Sequence, residues 1–239
     1  MNRLLLGAAL IVAFGAQPAR AVLQLAAQIG PDSFFCADNT SCDTNPAVGI
    51  LQVNDTVIDG IEVNGSLQAS TKAPGFNTLN TGSLSITNTN GSPITLVVAV
   101  SDTDFLPVAR RVNTAGSGVW QGPGGSTILM NWAVDAADAQ GANTAFNVPG
   151  TTIDTFAETA KAIADSFSHD GGVDLTLTSP FSMTEQATAT LSAGESLVNR
   201  GQAEVTLAVP EPGTWVMTGL GFALLAGLGA RAKGRMALY

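Results

Sequence analysis

Histidine and cysteine are almost missing from this chain: its 239 residues include one His and two Cys. One distant His and a single Cys pair cannot supply the four ligands of a structural zinc site, so no metal or cofactor is expected. A His-based triad would have to use His169, and no Gly-x-Ser-x-Gly elbow offers a nucleophile. His169 sits before Gly171-Gly172 and reads as a loop residue at a turn. Charge is scarce as well, at 12% of residues, about half the usual share. Basic residues are scarcest, ten against nineteen acidic, for a net charge of -9. That balance excludes a nucleic-acid binder, which needs a basic face against phosphate. Gly122-Pro-Gly-Gly-Ser126 lacks the Lys and the spacing of a phosphate loop and reads as a flexible turn.

What is present begins with two unlike ends. Arg3 precedes an apolar run from Leu4 to Phe14, and Ala19-Arg20-Ala21 places small residues where a signal peptidase reads them. The pattern predicts a signal helix over 1–21 and a mature chain starting at Val22. At the other end Val209-Pro210-Glu211-Pro212 leads into an uncharged span, about 213–230, and then Arg231, Lys233 and Arg235. This length approaches that of a transmembrane helix. Trp215 marks its outer edge, and the basic residues act as a stop-transfer signal that holds the C-terminus inside. Physics alone predicts a single-pass anchor in the inner membrane.

The order of those tail parts is more specific. Pro210-Glu211-Pro212, one hydrophobic span and a short basic cluster resemble the PEP-CTERM protein-sorting signal over about the last 30 residues. The resemblance implies a Gram-negative bacterium that makes exopolysaccharide, and an exosortase as processing partner. The sorting signal would span 209–239, with Pro210-Glu211-Pro212 as the recognition element near the processing site. The prolines lack backbone donors and favour an extended, accessible segment. Three body segments, Ile94–Thr103, Pro180–Thr184 and Ser196–Gly201, are similar to parts of β-rich PEP-CTERM exoproteins; that likeness bears on architecture and not on mechanism.

Five of the ten basic residues (Arg3, Arg20, Arg231, Lys233, Arg235) but only one acid (Glu211) belong to the ends. The body, 22–208, therefore carries a formal charge of -13. Its remaining polar surface must come from Ser, Thr, Asn, Gln and Gly, which suits an exported surface protein. Strict alternation in Ser83–Thr87, Val173–Thr178, Gln186–Leu191 and Glu204–Leu207 predicts strands. The apolar run Ile94–Val100 predicts a central strand covered on both faces. Asn64-Gly65 and Asn90-Gly91 predict hairpin turns. The expectation is an all-β chain: a β-sandwich flanked by the two terminal helices. At most one short helix is allowed, over 153–169. There Ile153, Phe156, Ala160, Ile163 and Phe167 share a helical face, with Thr151 or Thr152 as cap and Gly171 as stop. Ser166–His169 also alternates, so strand competes.

The candidate chemistry is thin. Cys36 and Cys42 lie close in an exported chain and predict a disulfide. Asp102 with Asp104, and Asp55, Asp59 and Glu62, are carboxylates that a glycosidase or calcium could use, though none forms an EF-hand loop. Solvated surface is the simpler reading. Trp132 reads as core. Trp120, beside the Gly-rich turn, is the candidate for stacking on a sugar. The expectation is a non-enzymatic surface or matrix protein associated with exopolysaccharide. The alternative is a secreted glycan-active enzyme or carbohydrate-binding module using surface carboxylates and Trp120.

Overall fold

The computed structural model describes residues 22–54, 56–73, 75–107 and 109–207. The signal segment with Ala19 and Ala21, and the tail with Pro210, Glu211, Pro212, Arg231, Lys233 and Arg235, lie outside them. Thirteen strands and no helix make up the described part. They are β1 (Gln24–Ile29), β2 (Asp32–Ala37), β3 (Ile50–Val53), β4 (Thr56–Ile58), β5 (Ile61–Ala73), β6 (Phe76–Asn88) and β7 (Ile94–Phe105). Then follow β8 (Ala109–Gln121), β9 (Thr127–Asp135), β10 (Thr151–Thr159), β11 (Ala164–Thr176), β12 (Phe181–Leu191) and β13 (Ser196–Leu207). A six-stranded sheet, ordered β10-β9-β12-β7-β1-β2, faces a seven-stranded sheet, ordered β11-β8-β13-β6-β5-β3 with β4 on β5. The fold is a β-sandwich with one continuous core between the sheets.

The segment 153–169 corrects the short helix: it is β10 and β11, joined by a connection that leaves Ile163 exposed. Phe156 and Phe167 still meet, with ring centroids 5.6 Å apart, but across the sandwich edge and not on a helical face. Both Asn-Gly expectations are corrected too. Asn64-Gly65 lies inside β5, where the register against β6 shifts between Asn64 and Leu67. Such a bulge takes the same permissive residues as a turn. Asn90-Gly91 lies on the link from β6 to β7, which belong to opposite sheets, so it carries a crossover.

Ile94–Val100 is central as expected. β7 pairs with β1 on one side and β12 on the other, and Leu96 to Asp102 are all buried. Burial of its second face comes from the segment 136–150, which folds back over the six-stranded sheet. Gly141 N donates to Ser101 Oγ at 3.1 Å, Gln186 Nε2 donates to Ala145 O at 2.8 Å, and Ala145 packs with Ala26 and Val97. A Cβ on Gly141 would stand 2.4 Å from Thr184 Oγ1, so only glycine fits there. The segment 136–150 covers part of one outer face, where Phe35 and Leu129 stay exposed, and the seven-stranded sheet presents the other. Cys36 and Cys42 form the expected disulfide. It ties the end of β2 to the loop leading towards β3, and a loop this short limits its entropic worth to about 2 kcal/mol.

Candidate functional site

The outer face of the seven-stranded sheet is built by alternation. On β8, Val112, Thr114, Gly116, Gly118 and Trp120 turn into the core, while Asn113, Ala115 and Ser117 face out. Register then sets the outward rows: Ser168, Ser117 and Arg200 in one, and Asp170, Ala115, Gln202 and Asn80 in the next. The middle of these rows is small, Ala115 and Ser117 over the backbones of Gly116 and Gly201. A groove of about 360 Å³ results, lined also by Gly82, Asn80, Ser168, His169, Asp170, Arg200 and Gln202. A second hollow of about 240 Å³ continues it past Asn113, Gly171 and Glu204. Its chemistry is amide, hydroxyl, one guanidinium, one imidazole and two carboxylates (Asp170 and Glu204), with no Trp, Tyr or Phe among the lining.

At the middle of the groove β6 carries a bulge. Asn199 pairs with Leu84 and Gly201 with Thr81, so Gly82 and Ser83 together oppose Arg200. The bulge also resets alternation: Asn77, Leu79 and Thr81 are buried before it, and Leu84, Ile86 and Asn88 after it. A bulge inside a sheet re-aims the side chains beside it.

Trp120 is corrected. Its side chain is 0% exposed and packs on Phe167, with ring centroids 4.8 Å apart, so no sugar can reach it. Trp132 is core, as expected. His169 is also corrected: it lies on β11 and not at a turn, between the rings of Phe156 (4.7 Å) and Trp132 (5.6 Å). Its Nε2 is 2.8 Å from Asp154 Oδ2, which also accepts from Thr114 Oγ1. Asp154 comes from β10 and His169 from β11, so the trio clasps the two sheets along one edge. Burial works against the Asp154 carboxylate, yet the bonds from Thr114 and His169 win and hold its pKa below the usual value. The bonds from Thr114 and His169 to one carboxylate hold the two edge strands together.

The carboxylate candidates do not converge. Asp102 is buried, bonded by Ser70 Oγ and Lys72 Nζ, the latter at 2.9 Å. Asp104 is exposed, and its backbone N–H donates to Asp138 Oδ1 at 2.8 Å. Burial, with the Asp104 charge adding to it, raises the Asp138 pKa. Asp59 and Glu62 lie at the β4–β5 end, away from both, and Asp55 is outside the described residues. Among the described residues no group of three or more His, Cys, Asp or Glu could hold a metal ion. Nor is any helix there long and apolar enough to cross a membrane.

Three groove residues, Asn80, Arg200 and Gln202, escaped the sequence reading. The signal was available in Val198-Asn-Arg-Gly-Gln202, whose alternation puts Val198, Arg200 and Gln202 on one face of β13.

No protein-family model and no curated protein sequence matches the chain. Solved structures give distant likenesses only. TmCBM61, solved in complex with beta-1,4-galactotriose, is 7% identical with a TM-score of 0.34, over 62% of this chain and 89% of its own. The carbohydrate-binding module CBM6cm-2 from Cellvibrio mixtus lichenase 5A, in complex with cellotriose, is 14% identical with a TM-score of 0.21, over 60% and 88%. A chain of infectious bursal disease virus, Gt strain, is 12% identical with a TM-score of 0.32, over 84% and 54%.

Proposed function

We propose that this is an exported, non-catalytic glycan-binding protein of the cell surface or extracellular matrix, and that the open face of its seven-stranded sheet contacts exopolysaccharide. The observation that carries the reading is the polar groove. Its planar amides (Asn80, Gln202), guanidinium (Arg200) and carboxylate (Asp170) are the groups that pair with vicinal hydroxyls, and its small-residue floor lets a sugar ring approach the sheet.

The mature exported protein, incubated with its host's polysaccharide, should be retained without releasing reducing ends. N80A/Q202A should weaken retention at least about fivefold, consistent with two lost hydrogen bonds of ~0.5–1.5 kcal/mol each. Equal retention by wild type and variant would remove the groove from this role, and new reducing ends would replace binding with catalysis.

The address of the protein rests on its ends. A signal peptidase would cut after Ala21, and an exosortase would act at Pro210-Glu211-Pro212 while the 213–230 span holds the precursor in the inner membrane. Replacing Pro210-Glu211-Pro212 by alanines should leave a precursor of full tail length in the membrane fraction. A tail still removed from that variant would end the sorting proposal.

A further inference from the structure

Cations are rare in this body, and their placement is informative. Of the four whose side chains are described, three have carboxylate partners: Lys72 with Asp102 at 2.9 Å, Arg111 with Asp174 at 3.5 Å, and Lys161 with Glu158 at 2.9 Å. Arg200 has no carboxylate partner among the described residues. It is exposed, it lies on β13 with β8 and β6 on either side, and it lines the larger groove. In a domain of formal charge -13, an unpaired guanidinium beside so many carboxylates is the exception.

The surrounding backbone keeps it apart. The β6 bulge sets Gly82 and Ser83 against Arg200, so the groove on that side is floored partly by glycine and the guanidinium has room. On the other side its cross-strand neighbour is Ser117, and beyond that Ser168, both short and uncharged. Asp170 lies a further two-residue step along β11 and forms no ion pair with Arg200. A guanidinium presents a planar fork of donors that matches a carboxylate in two parallel hydrogen bonds. Hydroxyl and amide groups flank it on the same face, Ser117 and Ser168 in its row and Gln202 and Asn80 in the next.

From this juxtaposition we infer that the groove takes an acidic glycan, a uronic-acid residue whose ring carboxylate pairs with Arg200 while its hydroxyls meet Gln202, Asn80 and Asp170. The inference rests on the glycan-binding reading above and adds the ligand's charge to it. Asp170 then has a second role. It repels a carboxylate placed at its end of the groove, so the sugar lies with its acid towards Arg200 and its hydroxyls towards β11.

The test compares a uronic-acid oligosaccharide with its carboxyl-reduced counterpart of the same linkage and length, using the mature exported protein. Wild type should bind the acidic form about tenfold more tightly, the ratio expected for a charge-assisted pair of ~1.4 kcal/mol. Arg200→Gln should bring the acidic form down to the affinity of the reduced one, with the melting temperature unchanged because the side chain is exposed and unpaired. Arg200→Lys should keep part of the preference, since it keeps the charge and loses the fork. Equal binding of both forms by wild type, or a preference that survives Arg200→Gln, overturns the inference and leaves the glycan reading standing. Binding of neither form overturns both.

Discussion

Glu185→Gln is expected to stabilise the fold at and above neutral pH and to remove most of its pH dependence between about 4.5 and 8. Glu185 comes from β12, yet its carboxyl ends between the sheets, 5% exposed, against a cavity of about 20 Å³. That volume is the size of one water molecule. Burial is the main cause that pushes its pKa up to about 8 from 4.5. Smaller opposing effects come from Thr81 Oγ1, which donates to Oε2 at 2.8 Å, and from the Ala203 N–H. The Trp132 indole N–H lies near the carboxyl but closes no hydrogen bond to it. None of the other residues lining the cavity titrates, so the group stands alone.

The sign follows from linkage. A carboxyl whose folded pKa is raised holds its proton in the folded chain while the unfolded chain releases it. Its stabilising contribution is whole below the unfolded pKa of about 4.5 and is lost as pH rises through about 8. Across that window the loss is on the order of 4 kcal/mol, at 1.36 kcal/mol per pKa unit. Glutamine keeps the shape and carries no charge, and its amide gains an acceptor in Asn199 Oδ1, which lines the same cavity and has no partner. Urea unfolding at pH 5, 7 and 8.5 reads the effect directly. The two proteins should be nearly equal at pH 5 and diverge by several kcal/mol at pH 8.5. Parallel pH curves would mean that the carboxyl is solvated or paired, and the assignment would fall.

Glu185 also shows where sequence stops informing. Gln186–Leu191 alternates legibly, and that pattern correctly makes β12 a strand. The strand's upper half, Phe181 to Glu185, is buried at every position, because 136–150 covers one face and the core covers the other. Alternation cannot reveal a segment that folds back from elsewhere. The same limit explains Trp120. Its partners on the inner face of β8, Gly116 and Gly118, have no side chains to register as apolar, so Ala115-Gly-Ser-Gly118 reads as linker beside a lone indole. Asn64-Gly65 was ambiguous for a different reason: a turn and a bulge ask for the same backbone freedom. At 151–169 the apolar residues satisfy both periods, and only pairing with β9 and β8 decides between them. Local features did carry through: the apolar central strand, the short Cys36–Cys42 loop, and the burial of Trp132. The groove was invisible because it needs four strands, β6, β8, β11 and β13, brought together by topology.

The glycines of β8 carry the other large effect. A Cβ on Gly118 would stand 2.4 Å from Phe167 Cε1, 2.5 Å from its Cζ and 3.0 Å from Val198 O. The backbone oxygen cannot retreat without breaking the β8–β13 ladder, and Phe167 is held by Trp120 at 4.8 Å and Phe156 at 5.6 Å. Gly118→Ala should therefore cost about 1–3 kcal/mol, the range for overpacking a filled core, although alanine is otherwise the milder strand residue. Phe167→Ala alone removes a buried ring and should cost about 3–5 kcal/mol. Together they should cost less than the sum, by at least about 1 kcal/mol, because the methyl then enters space the ring has left. Thermal or urea unfolding of the four proteins closes the cycle. Strict additivity would show that the alanine methyl never meets the ring, and that Gly118 serves the backbone and not the aromatic cluster. The expected sign instead makes Gly118 the clearance that lets Phe167 and Trp120 close the sandwich beneath the groove.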